Sequence, residues 1–548
     1  MSPPGPAGRE GPARQARQPS QHGPASMTAL FRSVSHRPPA PWGLILLGAL
    51  ASFLGFANPL LRVPPAILAW PLVLALLARR APSGRAALYH GWLCGALAAS
   101  ASLYWIALPV HDYGYLPWVL AVPCPLLMGA VLGGYPALFC WALRTVGGRF
   151  GPLALGLFAG LAWTGLETAR GWLFSGFPWL QLAGAFAPWP AAIQGLALMG
   201  AYAFSGLVAA CGVWLAGPGW RPRLAACAVV GLAAAYGPWA LERPLPEEGR
   251  FAAAMIQGNV DQARKWDEES LGRTLGEYET LTRSVLGTRP EVVLWPETAL
   301  TFFPEEPSPQ SDRVLRFARE TGVPLVTGAP GFDRARGKLR IYNRAFLITD
   351  KGLESHYDKE HLVPFGEYAP FGEDIPLLSS LLQGVGGFTP GRTTAPLRSG
   401  RLAMGMLICY ESIFPELAQE RVANGANVLV NISNDAWFGR SAAPRQHLEL
   451  ATLRAVEQGR YLLRATNTGY TALLDPRGRV SGETALFQEA AAAVSGVGLI
   501  TATTLYHRLY GLIEGAALAA ALVMLVWAMV TRPRDGQTST WHCCNTPN

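Results

Sequence analysis

Three residues are of types that can do covalent chemistry together, and two of them stand at the ends of short apolar runs. Cys409 closes Met-Leu-Ile-Cys-Tyr-Glu (406–411). A thiol at a strand end can face a cleft from a rigid support. It is a strong nucleophile only as its thiolate, so it needs a base or a cation nearby. Glu297 follows Val-Val-Leu-Trp-Pro (292–296), again at a strand end. Partial burial there should raise its pKa, which suits a general base. Lys359 lies in Tyr-Asp-Lys-Glu-His-Leu-Val-Pro-Phe-Gly-Glu-Tyr (357–368). An ammonium beside a thiol lowers the thiol pKa and stabilises a developing oxyanion. Taken singly, each has an ordinary explanation: a buried cysteine, a helix-terminal acid, a solvated lysine. The three together, with Pro364 and Gly366 fixing an unusual loop after the lysine, point to a site.

The elements that must position them read as alternating strands and helices. Apolar runs at 251–258, 292–297, 324–328, 343–348, 402–410 and 427–431 suit buried strands. Helical patterns fall at 268–286, 311–321 and 446–460. This is an α/β domain with a largely buried sheet, without an internal repeat or a Gly-rich phosphate loop. Of eight cysteines, only Cys409 lies within 243–506, so an internal disulfide is excluded there. No paired C-x-x-C spacing suggests zinc, and neither a metal nor another cofactor is expected. His356, His361 and His447 could pair with the thiol, but no cysteine-protease signature surrounds it.

The rest of the chain is different. Half of the 548 residues are hydrophobic and 15% are charged, against about a quarter in a typical soluble protein. Between 41 and 242 the acidic residues are Asp112, Glu167 and Glu242, and lysine is absent. Apolar stretches near 41–59, 64–79, 87–109, 117–143, 152–173, 190–215 and 222–241 are candidate membrane helices, with an eighth near 508–530. The net charge of +8 does not indicate nucleic acid, because the positive excess lies mostly in the arm and in short loops between apolar runs. Arg79, Arg80 and Arg85, then Arg144 and Arg149, then Arg221 and Arg223 mark the cytoplasmic side by the positive-inside rule. Arg62 and Arg170 go against that bias. The expected organisation is a disordered basic arm at 1–40 and a seven-span domain at 41–242. A water-facing domain at 243–506 on the outer side follows, then a last span at 507–531 and a cytoplasmic tail at 532–548.

Trp-Pro-Glu-Thr, Tyr-x-Lys-x-His-Leu-Val-Pro-Phe-Gly-Glu-Tyr and Ile-Cys-Tyr-Glu, in that order, resemble the Glu-Lys-Cys triad of the nitrilase (carbon–nitrogen hydrolase) superfamily. Gln257-Gly258-Asn259, Asn434-Asp435-Ala436-Trp437-Phe438 and Arg464-Ala465-Thr466-Asn467-Thr468-Gly469 look like its further landmarks. The resemblance covers roughly 250–500 and implies a four-layer α-β-β-α sandwich. Such a domain between seven spans and one looks like the apolipoprotein N-acyltransferase family of the bacterial inner membrane. Lys265-Trp266-Asp267 and the stretch from Glu167 through Arg170 to Trp179 are similar to that family's own patterns.

The resemblance implies ping-pong acyl transfer. A phospholipid acylates the Cys409 thiolate, and the thioester then acylates the α-amine of a lipoprotein's N-terminal diacylglyceryl-cysteine. Glu297 would carry protons, and Lys359 would hold the oxyanions, with the Tyr410 N–H as a second donor. Glu367 and Glu411 would orient and tune the lysine. Trp266, Trp437 and Phe438 would act as amphipathic lids at the lipid surface, and the enzyme would work as a monomer facing the periplasm. The competing readings are a membrane-tethered amidase acting on a soluble amide, and a non-catalytic transporter or binding protein that reuses the domain.

Overall fold

The computed structural model describes residues 41–262, 265–335, 338–368 and 387–531. The arm at 1–40 and the tail at 532–548 lie outside the described residues, as do Cys543 and Cys544.

Eight helical segments stand where eight spans are expected, but their lengths and compositions differ. Four are long and apolar enough to cross a bilayer: Trp118–Val146, Leu196–Ala216, Trp220–Glu242 and Leu512–Val530. A fifth arises if Gly84–Ser102 and Tyr104–Asp112, bent by 59°, count as one span. The count falls short of eight for local reasons. Trp42–Gly55 has only 14 residues. Ala69–Arg80 is preceded by a 3-10 turn starting at Pro64. Pro152–Trp172 carries Glu167 and Arg170. Small residues let the helices pack closely, as lipid-embedded helices require. A Cβ on Gly160 would meet the Gly206 carbonyl at 3.1 Å.

The α/β part holds two six-stranded sheets. Its strands are β1 (Gly249–Gln257), β2 (Val292–Leu294), β3 (Leu325–Ala335), β4 (Lys338–Thr349), β5 (Gly352–Asp358), β6 (Leu397–Ser399), β7 (Leu402–Ile408), β8 (Val428–Ser433), β9 (Leu462–Thr466), β10 (Ala472–Leu474), β11 (Val480–Ser481) and β12 (Ala490–Leu499). One sheet runs β12-β1-β2-β3-β4-β5 and the other β11-β10-β9-β8-β7-β6. The period of two divides each strand between two layers. Met404, Met406 and Ile408 of β7 join Val292 and Leu294 of β2 in the core between the sheets. Val293 faces the other way, to Leu275, Val314 and Phe317 of helices Glu268–Val285 and Pro309–Thr321. Leu407, Leu429 and Leu462 face helices Pro415–Ala423 and Ala443–Gln458, and that cluster runs on into the membrane helices. The layers are therefore α-β-β-α, and one outer helix layer is the seat on the bundle.

Gln446 holds that seat. Its Oε1 accepts from the indoles of Trp105 (3.1 Å) and Trp179 (2.7 Å), and its Nε2 donates to the carbonyls of Ala57 (2.8 Å) and Ser102 (3.2 Å). Arg62, one exception to the charge bias, pairs with Glu449 on the same helix at 2.5 Å. Arg170, the other, lies 3.6 Å from Glu167 and donates to the Leu180 carbonyl. Replacing Gln446 by leucine keeps the volume but strands two indole N–H groups and two carbonyls. We expect Gln446→Leu to cost about 3 kcal/mol, read as a lower midpoint of thermal unfolding in detergent. An unchanged midpoint would mean the seat is held elsewhere.

Candidate active site

Each of the three chemistry-bearing residues lies at or just beyond the end of a strand. Glu297 sits in the turn after β2, Lys359 follows β5, and Cys409 follows β7. Gly328 of β3 permits the first of these turns, since a Cβ there would come within 2.7 Å of the Glu297 Cα. Cys409 has φ +52°, the left-handed region that a branched or bulky side chain avoids. It begins the 3-10 turn Cys409–Ile413, which turns the thiol out of the strand. Its carbonyl lies within hydrogen-bond reach of Ser412 Oγ (3.0 Å) and His447 Nε2 (3.1 Å).

The three groups meet in a buried cluster. Lys359 Nζ lies 3.5 Å from Glu297 Oε1 and 2.9 Å from Glu367 Oε2. Asn343 Nδ2 donates to both carboxylates, at 2.8 Å each. The second Glu297 oxygen accepts from the Asn434 N–H at 2.8 Å. Glu367 also accepts from the Val363 N–H, which fastens the loop after the lysine. Burial works against the Lys359 ammonium, but Glu367, Glu297 and the sulfur outweigh it and hold its pKa above the ordinary lysine value. Burial pushes the Cys409 thiol up, Glu297 adds to that, and Lys359 only partly opposes them. The resting sulfur is therefore a thiol, and chemistry at it would require a neighbouring base to take its proton.

Glu411 reaches the lysine indirectly. Its Oε1 accepts from the Tyr357 hydroxyl (2.8 Å) and from the N–H groups of Glu360 (2.7 Å) and His361 (3.0 Å), and its Oε2 accepts from the Ile408 N–H (2.7 Å). One buried carboxylate thus ties the backbone after Lys359 to the backbone before Cys409. Tyr410 points toward the bundle: its hydroxyl donates to the Gly176 carbonyl at 3.1 Å, and its ring packs on Phe177, Trp179 and Phe414. The three lid candidates divide. Trp266 and Trp437 are 54% and 36% exposed, and Trp437 meets Tyr113 edge-on. Phe438 is wedged among Trp105, Trp179 and His447.

Several residues of the site carried little signal alone. Asn343 is the one carboxamide of β4, at the head of its apolar run and beside Arg344, with nothing nearby in sequence to mark it. Asp435 is buried behind the cysteine, and Arg464 and His447 hold its carboxyl well below the usual range despite burial. Among the described residues no group of three metal-ligating side chains is present.

Family models match two parts of the chain: carbon–nitrogen hydrolase over 252–503, and apolipoprotein N-acyltransferase N-terminal domain over 47–214. The apolipoprotein N-acyltransferase of Geobacter metallireducens is 37% identical over 87% of this chain and 94% of its own length. The chain belongs to the apolipoprotein N-acyltransferase family. Family members from Azotobacter vinelandii (35% identical, 83% of this chain, 89% of theirs) and Caulobacter vibrioides (32%, 91% and 96%) match to similar extents. The family match therefore takes in the helix bundle as well as the α/β part, in keeping with the continuous core between them.

Glu411→Gln would present an amide to four donors and leave one N–H unpaired. We expect acylation of Cys409 to slow roughly 100-fold from lost alignment, with stability reduced by about 2 kcal/mol. Single-turnover labelling and thermal unfolding measure the two effects; an unimpaired rate would show that the tie does not align the site.

Proposed function

We propose that the chain is a phospholipid-dependent N-acyltransferase that completes the N-terminus of bacterial lipoproteins through a thioester on Cys409. The observation that carries this reading is the buried Glu297–Lys359–Cys409 cluster seated on a lipid-embedded helix bundle. In the first half-reaction the Cys409 proton passes to Glu297 and the sulfur attacks the sn-1 ester carbonyl of a phospholipid. Lys359 faces the oxyanion, with the Tyr410 N–H as a second donor. The intermediate collapses, the lysophospholipid oxygen takes the proton from Glu297, and the acyl group stays on sulfur. In the second half-reaction the free α-amine of a diacylglyceryl-cysteine attacks the thioester. Its proton goes to Glu297 and then to the departing sulfur, and an amide is formed. Glu367 holds the lysine charged, and Trp266 and Trp437 border the entrance as amphipathic lids.

The reading includes an orientation: eight crossings, the α/β domain periplasmic, and a single chain sufficient for activity. The helix ends support it. Ala57, Ser102, Tyr113, Gly176 and Arg243 all touch the α/β domain. The intervening ends meet one another instead: Arg79 donates to Ala216, Arg144 to Ala81, and Arg149 to Thr531. The ends alternate along the chain, and the basic ones gather away from the domain, as the positive-inside rule requires of a cytoplasmic face.

Intact-protein mass spectrometry after incubation with phospholipid alone tests the chemistry. A hydroxylamine-labile gain of one acyl chain is expected in the wild type and not in Cys409→Ser. A diacylglyceryl-peptide should then discharge it. A folded protein that gains no acyl chain from any phospholipid, yet hydrolyses small soluble amides, would replace this reading with an amidase.

A further inference from the structure

Lys265 precedes the exposed Trp266, yet its own side chain is buried, with 4% exposure. Its Nζ donates to the Glu297 carbonyl at 3.3 Å. Among the described residues no carboxylate lies within ion-pair distance of it, in contrast to Lys359, which has two. The charges that bear on it are those of Glu297 and Cys409. An ammonium taken out of water without a carboxylate partner needs a compensating charge nearby. Here the charge at rest is that of Glu297, and it passes to the Cys409 sulfur when the thiol proton moves.

The charge count of the pocket gives this meaning. Glu297 and Glu367 face one ammonium, Lys359. When Glu297 takes the thiol proton, one negative charge leaves the carboxylate and appears on the sulfur, and the pocket is still one positive charge short. Lys265 supplies it. We propose that Lys265 is a positioning residue of the acylation step, its ammonium fixing the Glu297 peptide and balancing the charge that passes from the Glu297 carboxylate to the Cys409 sulfur. This rests on the triad reading above. In the step itself the S–H bond breaks, the proton joins a Glu297 oxygen, and the electron pair remains on sulfur; Lys265 keeps its own proton throughout.

A titration limit follows. Burial lowers the Lys265 pKa to about 8, against the opposing pull of Glu297 and Cys409. Lys359, on the other side of the Glu297 carboxylate, stays charged well above that. As pH rises through about 8, Lys265 loses its charge and the thiolate loses a partner.

The test follows Cys409 alkylation by iodoacetamide against pH in the full-length detergent-solubilised protein. The second readout is the pH profile of acyl-enzyme formation from phospholipid. Lys265→Met should slow alkylation roughly tenfold at pH 7, where Lys265 is charged, whereas Lys265→Arg should keep that rate close to wild type. In the acylation profile the wild type should decline above about pH 8 and the arginine variant should not. A purely structural role would lower the fraction of reactive protein without changing the rate constant of the remainder. An unchanged rate constant at pH 7 in Lys265→Met overturns the inference. If that variant does not fold, an alkaline decline retained in Lys265→Arg overturns it instead. Failure of wild-type Cys409 to take an acyl chain at all is a different result, since it removes the triad reading and this one with it.

Discussion

Two carboxylates, one ammonium and one carboxamide share a space closed to water, and none could be kept there alone. Glu297, Glu367, Lys359 and Asn343 satisfy one another at 2.8–3.5 Å. Breaking such a set by removing one partner leaves a buried charge uncompensated, which costs far more than the pairing gains. Every strand that ends at the site is constrained by this. β2, β5 and β7 must stop where the residues after them can join the cluster or, like Glu411, brace the backbone that carries it, and β4 must pass the cluster in the register that presents Asn343.

The same closure explains why the thiol is not ionised at rest. A permanently charged sulfur beside two carboxylates in a dry pocket would be unfavourable. The left-handed turn at Cys409 points the sulfur out of the strand, and its carbonyl is held from behind by Ser412 and His447. Much of the site is thus built from backbone groups fixed by buried side chains, which spares the reaction large rearrangements.

The sequence carried the chemistry more fully than the architecture. Glu297 and Cys409 stood out because each ends an apolar run that reads as a strand, whereas Lys359 stood out by the Pro and Gly of the loop after it, and its strand β5, Gly-Leu-Glu-Ser-His-Tyr-Asp, has no apolar run to mark it. β12 was not: Ala-Ala-Ala-Ala-Val has little strand propensity, and it is a strand because it pairs along β1. β9 was hidden because its Arg464 interrupts the apolar run, and its partners, Asp435 which neutralises it and Asn431 which accepts from it, come from elsewhere in the chain. The spans were blurred for a related reason. Glu167 and Arg170 reduce the apolar character of their helix, but they satisfy each other and the backbone of residues 180 and 182. Asn343 and Gln446 were the least legible, because the worth of a carboxamide lies in partners distant in sequence.

The contact between Tyr410 and Gly176 joins the turn that begins at Cys409 to the loop capping a membrane helix. Gly176 follows Phe174 and Ser175, two non-glycine residues held at positive φ. The Cys409 turn is therefore anchored on two bodies at once, strand β7 behind it and helix Pro152–Trp172 beside it, and a displacement of either is passed to the same five residues.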